Sequence, residues 1–124
     1  MIVGIGTDLL QLERIDKALK RTPKLADRIL TPAELQQFKD SSQGGRFLAK
    51  RFAAKEAVVK ALGTGIGNGV GWQHIEISKD QLGKPLITLS GGALLRADSL
   101  GVKNSFLSYS DERDYIVAMV VLER

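Results

Sequence analysis

The segment RFLAKRFAAKEAVVKAL, residues 46–62, constrains this chain more than any other stretch. It is the longest run with helical periodicity, and Gly63 behind it supplies a C-terminal cap. On a helical wheel with Phe52 as origin, Phe47, Leu48, Val58, Val59 and Leu62 fall between about 220° and 340°. Ala49, Ala53, Ala54, Ala57 and Ala61 fall between about 60° and 200°, on the opposite side. A helix that is apolar or small nearly all round must be covered on more than one side. The second cover is either the rest of the chain or another subunit, because a side made of alanines lets a neighbouring backbone come close.

The flanking segments supply candidates for that cover. Residues 1–6 alternate small and β-branched side chains and read as a short strand, with the chain turning at Thr7-Asp8. Residues 10–21 carry Leu12, Ile15 and Leu19 at helical spacing, and Pro23 opens a short helical stretch reaching about Leu30. Thr31-Pro32-Ala33-Glu34 is a helix start: Thr31 caps, Pro32 takes the first turn and Glu34 completes a capping box. Residues 41–45 read as the loop that ends that helix. After the long helix come Gly63, Gly65, Gly67, Gly69 and Gly71, alternating with other residues. Strands are expected over 72–79 and 84–89 around a turn at 80–83, and over 106–110 and 115–122 around 111–114. A short helix over 91–100, closed by Gly101, separates the two hairpins. Helices first and antiparallel strands later predict an α+β fold, with N-terminal helices and one long central helix packed on a mainly antiparallel sheet. The 124 residues are expected to form a single domain, 1–124, which at this size buries roughly two-thirds of its unfolded surface without disulfides or structural metal.

Composition then removes function classes. Cysteine is absent, which excludes disulfide scaffolds, thiolate zinc sites and cysteine nucleophiles together. His74 is the sole histidine, so multi-histidine metal sites are excluded, and its place in an expected strand points to a structural or surface role. The opening MIVGIGTDLL has no basic stretch and meets Asp8 too early for a signal peptide. No apolar run approaches the length of a membrane span. A cytoplasmic protein with no membrane attachment is expected.

Charge is uneven. Residues 1–62 hold twelve Lys and Arg against seven Asp and Glu, whereas residues 63–124 hold six against seven. The positive excess in the first half suits an anionic partner. Arg14, Lys17, Arg21, Lys24 and Arg28 recur at spacings of three and four, one helical face interrupted by Pro23. That face is either a solvated surface or a docking strip for an acidic partner. It has no interleaved aromatic residues and no known nucleic-acid motif, which argues against nucleic acid.

Two carboxylates stand apart from the other acids. Glu56 is the one acid among five bases on the long helix, four residues before Lys60. It is either half of a helix ion pair or a metal ligand beside a lysine that holds phosphate oxygens. Asp8 follows an apolar strand and two glycines; it is either an N-cap for the next helix or a strand-end carboxylate aimed into a cleft. The glycine run is not a Walker loop, and Gly4-Ile5-Gly6 is not a dinucleotide fingerprint because Leu9 stands where a third glycine belongs. Two readings therefore remain: a carboxylate metal site beside a lysine that holds phosphate oxygens, or a small basic binding module without chemistry.

The residues Gly4-Ile5-Gly6-Thr7-Asp8, followed by Phe52-Ala53-Ala54-Lys55-Glu56-Ala57-Val58-Val59-Lys60 and Gly63-Thr64-Gly65, resemble the holo-[acyl-carrier-protein] synthases, the small class of 4′-phosphopantetheinyl transferases. The segment Arg28–Leu35, the tripeptide Gly83-Lys84-Pro85 and the closing strand fit as well. One tract departs: many members carry a histidine in the penultimate strand, where this chain reads Leu107-Ser108-Tyr109-Ser110, so no role of that histidine carries over to Tyr109.

The resemblance implies the 4′-phosphopantetheinyl transferase fold and a reaction serving fatty acid biosynthesis. A serine hydroxyl of apo acyl carrier protein attacks the β-phosphate of coenzyme A, and adenosine 3′,5′-bisphosphate leaves. It implies Asp8 and Glu56 as Mg²⁺ ligands, Lys60 beside the transferring phosphoryl group, and Glu56, directly or through a water, as the base. It implies coenzyme A contacts at Arg51, Lys60, Gly63, Gly65 and Pro85. It implies a homotrimer with active sites at the subunit interfaces; with acyl carrier protein as the acidic partner, the spacing of the basic strip makes Arg14, Arg21, Lys24 and Arg28 the expected docking residues.

Overall fold

The long helix, α4, spans Gly44–Leu62 and ends at Gly63, whose left-handed backbone (φ 77°) closes the last turn. Eleven of its residues are buried, and the computed structural model, which describes residues 1–124, shows what covers each side. The elements before α4 are β1 (Ile2–Gln11), α1 (Leu12–Arg21), α2 (Leu25–Ile29) and α3 (Pro32–Asp40). Those after it are a 3-10 turn at Trp72–His74, β2 (Ile75–Lys79), β3 (Pro85–Leu89), α5 (Gly91–Ser99), β4 (Asn104–Asp111) and β5 (Tyr115–Glu123).

The strands form two antiparallel sheets. One is β1-β5-β4 with β5 in the middle, and the other is the β2-β3 hairpin. In β5 the alternation is strict: Ile116, Ala118, Val120 and Leu122 point to α4 and are buried. The helix stripe Ala57/Ala61 lies on β1, where a side chain at Gly4 or Gly6 would collide with the carbonyls of Ala61 and Ala57. The alanine side is thus covered by the chain's own first strand. That corrects the reading in which those alanines await another subunit: two glycines and a row of alanines allow strand and helix backbones to touch. Ile75 and Ile77 of β2 are also buried with α4 in one core.

Three local expectations change. β1 does not turn at Thr7-Asp8 but runs on to Gln11, because β5 pairs with it throughout, Asp8 opposite Ala118 and Leu10 opposite Ile116. Asp8 is therefore no helix cap; Gln11 occupies that position before α1. The strand expected over 72–79 starts only at Ile75. Ahead of it His74 Nδ1 accepts the Gly71 N–H at 3.0 Å, which bends residues 72–74 into the 3-10 turn. The capping box at Thr31/Glu34 forms as its sequence predicts.

Candidate active site

Strand alternation places Asp8 on the same side of β1 as Gly4 and Gly6, the side against α4. The side chain is mostly buried, at 14% exposure. From α4, Lys60 reaches across and donates to Asp8 Oδ1 at 3.1 Å and to the Thr7 carbonyl at 2.8 Å. Lys60 itself stays half exposed, so its ammonium remains open to solvent beside the carboxylate.

Glu56 lies one helical turn before Lys60 on the same side of α4. The Glu56–Lys60 ion pair that the spacing allows does not form. Instead Glu56 Oε1 accepts the indole N–H of Trp72 at 2.9 Å. Each carboxylate thus has one oxygen engaged, while Asp8 Oδ2 and Glu56 Oε2 receive no donor from the chain. No group of three or more His, Cys, Asp or Glu gathers anywhere in the chain. Mg²⁺ seldom takes a dedicated protein cage and completes its octahedron with water and phosphate oxygens. Two hard carboxylate donors with free oxygens, next to an exposed ammonium, fit that ion.

The five residues expected to contact coenzyme A fall into two places. Lys60, Gly63 and Gly65 share the C-terminal end of α4. There the Gly63 and Gly65 N–H groups already serve the Lys60 and Val59 carbonyls. Arg51 lies on the opposite side of α4, buried, with its guanidinium 4.6 Å from the Phe47 ring centre and its Nε 3.8 Å from Glu34. Arg51 helps line a cavity of about 260 Å³ with Arg46, Lys50, Lys79 and Tyr109. Pro85 pairs with that same Lys79 across the hairpin.

A second cavity, about 420 Å³, opens between α1, α2 and α4. Leu10, Ile15, Leu25, Ile29, Phe52 and Trp72 make its apolar floor, and Arg14, Lys17 and Arg21 stand at its rim. The basic strip is therefore the edge of a groove whose floor includes the indole that holds Glu56. Lys24 and Arg28 extend the strip along α2 without lining the groove.

A buried network behind the site escaped the sequence reading. Lys55 is wholly buried and donates to Glu34 Oε1 at 2.6 Å, the Ile29 carbonyl at 2.7 Å and the Trp72 carbonyl at 3.2 Å. Glu34 also takes the N–H groups of Thr31 and Ile77. Burial pushes the Lys55 ammonium below the usual lysine range, and the Glu34 carboxylate pulls against it. The wheel held the signal: Lys55 and Arg51 fall inside the apolar arc, at about 300° and 260°.

The chain matches the model of the 4′-phosphopantetheinyl transferase superfamily over residues 4–120. It is 59% identical to a holo-[acyl-carrier-protein] synthase of Vibrio cholerae, covering 100% of this chain and 99% of the relative. The crystal structure of the Neisseria meningitidis holo-[acyl-carrier-protein] synthase superposes with a TM-score of 0.92 at 45% identity, over the whole of both chains. The Helicobacter pylori synthase in complex with coenzyme A superposes with a TM-score of 0.83 at 36% identity, covering 96% of this chain and 99% of that one. With its strand-borne Asp8, helix-borne Glu56 and Lys60, and full-length likeness to these enzymes, the chain belongs to the 4′-phosphopantetheinyl transferase superfamily.

Proposed function

We infer that this chain transfers 4′-phosphopantetheine from coenzyme A to a serine of apo acyl carrier protein, in support of fatty acid biosynthesis. The observation that carries the reading is the contact of Lys60 on α4 with Asp8 on β1, with Glu56 one helical turn earlier and held by an indole that lines a groove with a basic rim. The serine Oγ–P bond forms, the bond from the β-phosphorus to the bridging oxygen breaks, and adenosine 3′,5′-bisphosphate departs with that oxygen. Such a transfer asks mainly for positioning and charge balance. Mg²⁺ held by Asp8 and Glu56 would supply charge neutralisation at the diphosphate oxygens. Lys60 has three donors, of which Thr7 and Asp8 take two; the third is free for a phosphoryl oxygen. Glu56, through a water, is the proposed base for the serine proton. Incubation with coenzyme A, Mg²⁺ and an apo carrier protein should add the mass of one phosphopantetheine to the carrier. An unmodified carrier would refute the reading.

We place the reaction in the cytoplasm and the whole activity in one domain, 1–124. No helix is long and apolar enough to cross a membrane. We also propose a homotrimer. The outward face of β1-β5-β4 exposes Ile5, Leu9, Phe106, Val117 and Met119, an apolar sheet face with no cover within the chain. The division of the coenzyme A residues between two places suits a site completed by a second copy. Sedimentation equilibrium should give three times 13.5 kDa at micromolar concentration, and Met119→Lys should release monomers. A wild type that stays monomeric would contradict the assembly.

The groove rim is proposed to dock an acidic helix of the carrier protein. Arg14 is exposed at that rim and pairs with no carboxylate, whereas Lys17 is partly engaged by Glu13 at 3.0 Å. Arg14→Glu should raise the KM for carrier protein about tenfold and leave the KM for coenzyme A nearly unchanged. Added salt should weaken the wild type more than the variant, because screening shortens the reach of the field. An unaltered carrier KM in Arg14→Glu and Arg21→Glu would reduce the strip to a solvated face.

A further inference from the structure

Glu56 sits four residues before Lys60, a spacing at which a free helix would pair the two. Pairing would turn the Glu56 carboxylate toward an ammonium that already serves Asp8 and the Thr7 carbonyl. The structure separates them. Lys60 turns to β1, and Glu56 turns to the Trp72 indole.

Trp72 is held at several points, and the holds come from four places in the chain. Its carbonyl accepts from the buried Lys55 ammonium at 3.2 Å. Its ring packs on Phe52, with centroids 6.0 Å apart and planes tilted by 45°. The next residue, Gln73, donates to the Asp27 and Leu30 carbonyls at 2.6 and 3.2 Å. His74 and Gly71 close the 3-10 turn on its other side. Lys55 and Glu56 are consecutive in α4, so the helix grips both the backbone and the ring nitrogen of one residue. An indole fixed in this way offers its N–H at a set position, and a carboxylate that accepts it loses most of its rotamer freedom.

We propose that Trp72 is a positioning residue: its indole N–H holds Glu56 away from Lys60 and presents the remaining carboxylate oxygen to the divalent metal. The proposal rests on the assignment of Glu56 as a metal ligand. Removal of a partner that orients a ligand commonly lowers metal affinity by 10–100-fold.

The test measures metal binding directly, by electron paramagnetic resonance of free Mn²⁺ titrated with protein in the presence of coenzyme A. Trp72→Phe keeps an aromatic ring against Phe52 and removes the N–H. Trp72 is also the only tryptophan of the chain, so biosynthetic replacement by β-(3-benzothienyl)alanine changes this one N–H to sulfur and preserves the shape. Both forms should bind Mn²⁺ about tenfold more weakly, with an unchanged thermal midpoint in the benzothienyl protein. In steady-state assays kcat should fall while the KM for coenzyme A moves little. Wild-type affinity in the benzothienyl protein, alongside weakened binding in Glu56→Gln, would overturn the role of Trp72 and leave Glu56 as a ligand. Equal Mn²⁺ binding by wild type and Glu56→Gln would overturn both.

Discussion

Asp8→Ala and Glu56→Ala should each lower phosphopantetheinyl transfer on the order of 10³-fold or more while the fold survives. The size of the effect follows from charge: each variant would remove one of the two proposed anionic ligands from a site whose substrate is itself a polyanion. Survival of the fold follows from position. Asp8 is partly exposed, and its partner Lys60 stands half in solvent, so the ammonium released by Asp8→Ala is hydrated at little cost. Glu56 accepts a single hydrogen bond and is not fully buried. Excess chelator should abolish wild-type activity, and Mg²⁺ or Mn²⁺ should restore it. Circular dichroism melts of the variants should overlay the wild type. Near-normal turnover in either variant, or full activity in chelator, would contradict the metal assignment.

Lys55→Met should destabilise the protein by about 3–5 kcal/mol, the range for removing one partner of a buried ion pair. The methionine fills a similar volume, so the loss is electrostatic. Glu34 would keep the N–H groups of Thr31 and Ile77 but lose the 2.6 Å contact that offsets its charge, and two carbonyls would lose their shared donor. The double variant Lys55→Met/Glu34→Gln should regain part of the loss, because it leaves no unpaired charge. The pH dependence has a definite sign. Burial lowers the Lys55 pKa from 10.5, so the unfolded chain binds the extra proton between the lowered value and 10.5. In that interval the contribution of Lys55 to stability improves as pH rises, and below it the cost of burying the charge is constant. Urea melts of wild type and Lys55→Met across this range should therefore diverge toward high pH. Parallel curves would mean that Lys55 is not held below its usual value.

Much of the site was legible because its residues are confined to short segments. Glu56 and Lys60 share one helix, where a spacing of four fixes their side. Asp8 stands out in the sequence as an unusual acid, but its local structure is not the turn or cap that its neighbours suggest. Only pairing with β5, more than a hundred residues away in sequence, carries β1 past Thr7 to Gln11. Trp72 was invisible as a site residue for the same reason. Its segment alternates like a strand, and nothing local tells that Lys55 takes its carbonyl or that Glu56 takes its N–H. The capping box at Thr31 was readable in four residues, yet the second duty of Glu34, as counter-charge to Lys55, depends on α3 crossing α4.

The sequence by itself determined the central helix, its burial on more than one side and the α+β class, and it singled out Asp8 and Glu56 as acids whose surroundings differ from those of the others. These rest on periodicity, capping and residue chemistry, which act over a few neighbouring positions. The tertiary structure alone decided what covers the alanine stripe, which partner each charge takes and which side of α4 each serves. Gly4 and Gly6 let β1 close on the stripe, and that closure brings Asp8 to Lys60. Arg51 and Lys55 lie in the apolar arc and are buried, whereas Lys60 lies outside it and stays half exposed. A charge's role is set by how much water it keeps and by which opposite charge the fold delivers, and both are properties of packing between distant segments.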